Sequence, residues 1–166
     1  MAGMHRLTLL LLGLGATAVH GEGFGRWETR LQDCTLKQGQ VEMPLQAPRQ
    51  SCVRLRLEQN MEGLLSARLI HPSGSQRFGS QNLVFGGVLA PGQRPMRCNP
   101  DGECQPHWPT RLEVATVASS LVSGNGQAPT LPTAVLAKGS CLLERHQLHC
   151  QAQDQGGRFW EAKATL

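Results

Sequence analysis

The chain has 166 residues, a formal net charge of +4, six cysteines and no tyrosine. So weak a positive balance argues against a nucleic-acid partner, and no run after the first twenty residues is apolar enough to span a bilayer as a helix. The same chain contains no G-x-S-x-G elbow, no phosphate-binding glycine loop and no H-E-x-x-H pair, so the common hydrolase, nucleotide and zinc-protease signatures are absent.

The chain opens as a secretory signal peptide. Arg6 makes a basic start, Leu7 to Leu14 an apolar stretch, and Ala16-Thr17-Ala18 a small-residue cleavage signal. Cleavage after residue 18 leaves Val19 as the mature N-terminus; cleavage after Gly21, leaving Glu22, is the alternative, and an uncleaved anchor is the competing reading. Residues 19–166 then form one domain of about 145 residues, enough for a real core. Losing Arg6 lowers Lys+Arg from 16 to 15 against 12 acids, a net charge of +3. The mature chain is expected to be exported, periplasmic or secreted, with no stable membrane insertion once the signal is cut.

Past the signal, strand patterns follow one another between glycine and proline breaks. Residues 25–34, GRWETRLQDC, place Trp27, Thr29 and Leu31 on one face. Residues 52–58, CVRLRLE, place Val53, Leu55 and Leu57 opposite Arg54, Arg56 and Glu58. Residues 63–70 and 82–90 are apolar enough for buried strands, with a bulge or bend expected at Gly86-Gly87. Residues 111–118 read as another strand, and the last ten residues set Trp160, Ala162, Ala164 and Leu166 on one face. Segments 71–81 and 122–132 carry turn residues and little periodicity, and read as loops. Short strands at this spacing predict an all-β fold, a small antiparallel sandwich or barrel.

An even number of cysteines behind a signal peptide implies three disulfides. In CNPDGEC, proline presets a type I turn and Gly102 supplies the left-handed residue of a bulge, which sets Cys98 opposite Cys104 at a non-hydrogen-bonded pair. CLLERHQLHC is symmetric about Arg145-His146, which sets Cys141 opposite Cys150. Arg-His suits a tight two-residue turn poorly, so a slightly longer connection is expected there. Cys34–Cys52 follows by elimination and closes about 18 residues, worth roughly 3 kcal/mol.

Cys98, Cys104 and His107 offer zinc ligand types, but their spacing departs from the usual one and exported thiols oxidise. His146 and His149, three apart in a strand, point to opposite faces. His71 ahead of Pro72-Ser73-Gly74-Ser75 is better explained by a polar turn than by a base beside a nucleophile. No catalytic residue, metal site or cofactor is expected. The tip residues Asp101 and Glu103, held by the staple, are the candidate contact site.

Two resemblances add to this. Gly25-Arg26-Trp27 resembles the G-x-W of lipocalin first strands, which implies a β-barrel carrier of a small apolar ligand; the second lipocalin motif, with its tyrosine, is missing. Residues 83–118, then LPTAVLAKGSC and the closing WEAKATL, resemble small exported proteins of marine cyanobacteria in texture and cysteine placement. That likeness implies an exported address and brings no activity with it. The leading expectation is a non-enzymatic exported domain that binds a partner through loops 71–81, 99–103 and 122–132. The lipocalin-like carrier is the alternative, and a small hydrolase or metalloprotein stands third.

Overall fold

The computed structural model describes residues 24–43, 49–60, 63–71, 80–122 and 133–166, the side chains of 80, 81, 121 and 122 excepted. The proposed signal, and most of the segments 71–81 and 122–132, lie outside the described residues.

Alternation becomes strand almost everywhere. The elements are β1 (Gly25–Arg30), β2 (Asp33–Gln40), β3 (Arg49–Ser51), β4 (Arg54–Gln59), β5 (Leu64–Ile70), β6 (Ser80–Leu89), β7 (Arg97–Cys98), β8 (Cys104–Gln105), β9 (Thr110–Val122), β10 (Thr133–Leu143), β11 (Gln147–Gln153) and β12 (Arg158–Thr165). Ten of them form one curled antiparallel sheet in the order β1-β4-β5-β6-β9-β10-β11-β12-β2-β3, and β7 and β8 form a separate hairpin. The fold is all-β, as the periodicity predicts.

The curl returns on itself. β1 and β2 are one bent strand, interrupted only at Leu31 and Gln32, and β3 and β4 are another, interrupted at Cys52 and Val53. β1 pairs with β4, and β2 pairs with both β3 and β12. At the bend the Leu31 N–H donates to Val53 O at 2.9 Å and the Gln32 N–H to Thr165 O at 2.9 Å. Inward residues therefore face one another across a common core. Leu55, Leu57, Leu65, Leu69, Phe85, Leu112, Val117, Cys150 and Ala162 are buried in it.

Most face assignments hold. Leu55 and Leu57 point inward and Trp160, Ala162 and Ala164 line the core. Val53 does not join Leu55: it is 38% exposed. The bend puts Cys52 inward, toward Cys34, and the alternation slips by one residue at Val53-Arg54. Gly86-Gly87 marks the bulge. The β6–β9 register shifts there, leaving Ala115 as the extra residue, and a Cβ on Gly87 would overlap Glu113 O.

Cys34–Cys52, Cys98–Cys104 and Cys141–Cys150 are disulfide-bonded, with Cα–Cα distances of 5.1, 3.9 and 4.0 Å. In the 141–150 hairpin, Cys141 stands opposite Cys150, Leu142 opposite His149 and Leu143 opposite Leu148. The longer connection expected here does not form. The Glu144 N–H donates to Gln147 O at 2.8 Å, so only Arg145-His146 turn the chain. Core packing of Leu143 and Leu148, and a hydrogen bond between the Gln147 and Glu144 side chains, hold a turn that local preference disfavours.

Strand direction sorts the connections. Segments 41–48, 71–79, 123–132 and 154–157 join strands at one end of the barrel, and 60–63, 90–109 and 144–146 at the other. The second end is stoppered. The buried Gln59 side chain accepts from Met96 N at 2.6 Å and donates to Met96 O at 3.3 Å, holding Met96 in the core. Trp27 and Trp108 meet edge to face at 5.7 Å beside it.

Candidate functional site

The stapled turn has the geometry its residues call for. The Asn99 N–H donates to Glu103 O at 2.9 Å, the Gly102 N–H to Asn99 O at 3.0 Å, and Gly102 has φ near 80°. Asn99 Oδ1 also accepts from the Glu103 N–H at 2.8 Å. Asp101 and Glu103 are exposed. The tip is docked, however, not projecting: the Arg26 N–H donates to Gly102 O at 2.8 Å, and Gly25 has no room for a Cβ against Gly102 O and the Cys104 sulfur. It lies at the stoppered end, while segments 71–79 and 123–132 spring from the other. The described strand ends that carry the three candidate segments therefore lie at opposite ends of the sheet. Among the described residues no group of three His, Cys, Asp or Glu side chains is placed to hold a metal ion. His107 accepts at its carbonyl from Thr110 Oγ1 at 2.7 Å.

A charged concavity lies on the outer face of the sheet, where no sequence motif marks it. Outward residues of β2, β3, β10, β11 and β12 line a groove of about 590 Å³. Glu161 sits within it, 2.7 Å from Lys163, 3.3 Å from Lys37 and 3.4 Å from His149. The hydrogen bond from Lys163, aided by Lys37, holds the Glu161 carboxyl below its usual range against the effect of partial burial. Asp33, Glu144 and Glu161 balance Lys37, Arg49 and Lys163 along this groove, so it has no excess charge with which to draw an ionic ligand. A comparable ladder crosses the outer face of β1, β4 and β5. Glu28 accepts from Arg54 at 2.9 Å and Arg56 at 2.6 Å, and Glu58 lies 3.7 Å from Arg56 and 3.6 Å from Arg68. These partly exposed pairs tie neighbouring strands at a few tenths of a kcal/mol each. Glu28 with Arg54 and Arg56, and Glu161 with Lys37, join strands far apart in the chain, which is why no sequence motif announces them.

At the opposite end, His71 closes β5 and is only 8% exposed. It borders a cavity of about 10 Å³ with Leu36, Gln50 and Leu83 among its walls. Burial lowers the His71 pKa below the usual value, partly offset by a hydrogen bond with the Ser51 backbone. Because the unfolded chain then binds the proton more readily, His71 stabilises the fold above its unfolded pKa of about 6.5, and that contribution is lost as pH falls through the folded value. Thermal unfolding should show it: Tm falls between about pH 7.5 and 5.5, and His71→Asn flattens the dependence. An equal fall in both proteins would refute the assignment.

No protein-family model, no curated protein and no solved structure matches the chain. Its class rests on its own architecture: an all-β, disulfide-stapled, barrel-like domain, with bridges that fit an oxidising compartment.

Proposed function

We propose that this protein is a non-enzymatic, exported binding domain that engages its partner through the connections at the end opposite Met96. The observation that carries this is the asymmetry of the barrel. Four connections (41–48, 71–79, 123–132 and 154–157) share one end, while Gln59, Met96 and the docked hairpin fill the other. A rigid, cross-linked frame that gathers several connections at one end suits contact with a macromolecule. Three disulfides support an exported address; on this reading the signal-like N-terminus is removed after residue 18, or after 21, and the mature chain resides in the periplasm or outside the cell. On this reading the stapled tip with Asp101 and Glu103 positions β1, and contact is made elsewhere.

A lipocalin-like carrier is the second reading, favoured by the returning curl and by Trp27 on β1. Against it, Phe85 and Trp160 are packed into the core, and the inward cavity beside His71 has room for about one water molecule. Native mass spectrometry of the protein purified from its own cell envelope separates the two. A co-purifying macromolecule, lost when residues 72–79 and 123–132 are replaced by Gly-Ser segments of equal length, supports the binding domain. A small apolar molecule released only on unfolding overturns it in favour of the carrier.

A further inference from the structure

β10 outruns its neighbour β11. The β10–β11 ladder starts at Lys138 opposite Gln153, whereas β9 accompanies β10 as far as Thr133 opposite Ser119. Residues 133–136 are thus paired with β9, the register slips between Leu136 and Gly139, and among the described residues 133–137 have no backbone partner on the β11 side. Alternate residues of an antiparallel strand turn their N–H and C=O to opposite sides, so this stretch carries unpaired donors and acceptors along the lane β11 vacates. The lane ends because Asp154 closes the β11–β12 turn: its N–H donates to Arg158 O at 3.0 Å and its carboxylate accepts from Arg158 N at 2.8 Å. A trough of about 580 Å³ lies beside the edge, with Ala115, Leu136, Lys138 and Gln153 among its walls.

Edge strands normally carry charge, proline or a bulge that discourages pairing. Thr-Ala-Val-Leu-Ala carries neither charge nor proline, the irregularity in β10 comes only at its end, between Leu136 and Gly139, and Leu136, 81% exposed, is the most exposed of the large apolar side chains described. Pro132 and Lys138 bound the segment and confine it to five residues.

We propose that residues 133–137 pair with the same residues of a second copy of this chain, antiparallel, about a two-fold axis at Val135. An antiparallel edge is complementary to itself, and an isologous contact closes after two copies. Centring on Val135 sets each Leu136 opposite Ala134 of the other copy, and each Lys138 opposite Pro132. The apolar side chains cover one another and the two cations stay apart, so the uncharged segment meets no like-charge repulsion in its own image. Five residue pairs bury less than the roughly 1,200 Å² of a stable interface. The dimer is therefore weak and forms with concentration.

Sedimentation velocity over a range of concentrations, with hydrogen exchange at amides 133–137, tests this. The dimer fraction should rise with concentration, and the outward-facing edge amides should slow as it does. Leu136→Lys should leave the circular dichroism and Tm unchanged yet weaken association roughly tenfold or more. Val88→Lys, an exposed apolar position on β6, should leave association unchanged. The proposal is overturned by a protein that stays monomeric with freely exchanging edge amides, or by a dimer indifferent to Leu136→Lys. Edge amides already protected at the lowest concentration also overturn it, because a segment of the same chain then covers the edge.

Discussion

Phe85→Ala should cost about 3–5 kcal/mol of stability, the largest effect expected of any single core truncation here. The Phe85 side chain is wholly buried, and in the sheet it stands between Ala67 on β5 and Val117 on β9. Ala67 is too small to fill the space a lost ring leaves. The bulge at Gly86-Gly87 next door fixes the backbone, because Gly87 already lies against Glu113 O, and the strand has little freedom to collapse inward. Urea unfolding should show the midpoint falling with the slope unchanged. A loss below about 1 kcal/mol would mean that Phe85 packs against a compliant interior, as a carrier with a hidden cavity would have.

Replacing Cys34 and Cys52 together by alanine should cost about 3 kcal/mol, more than the same change at Cys98 and Cys104, which should cost about 2 kcal/mol. The first bridge closes 18 residues and the second only 6, so the first removes more freedom from the unfolded chain. Their positions widen the gap. Cys34–Cys52 clamps the corner where both bent strands turn, and the curl closes through that corner. Cys98–Cys104 braces a hairpin that is also held by Asn99, Glu103 and the Arg26–Gly102 hydrogen bond. Calorimetry of the two double variants without reductant measures the order. If the Cys98/Cys104 variant unfolds at the lower temperature, the stoppered end matters more to the fold than the corner does.

The chain's local grammar was legible. A period of two is read directly from Leu55-Arg56-Leu57 and from Trp160 to Ala164, and burial follows it because each strand has one wet face. The turn of CNPDGEC is written in Pro100 and Gly102, whose φ preferences act within four residues. The symmetric residues of CLLERHQLHC set the pairing of 141 to 150, although the core, and not the turn residues, holds it tight. Val53 shows where this reading stops. Its alternation was sound, but the bend between β3 and β4 shifted the phase.

What the sequence alone determined about this protein is therefore local: that it is β, which faces are apolar, and which cysteines face each other in the two short hairpins. The tertiary structure alone decided that the stapled tip docks on β1, that Glu161 meets Lys37 across β12 and β2, that segments 71–79 and 123–132 leave from the end opposite residues 99–103, and that β10 outruns β11 by residues 133–137. The physical reason is the range of the interactions. Turn preference and side-chain alternation act over a few residues. The register of β2 on β12, which joins residues more than a hundred positions apart, emerges only when the whole sheet curls to bury its inner face at once.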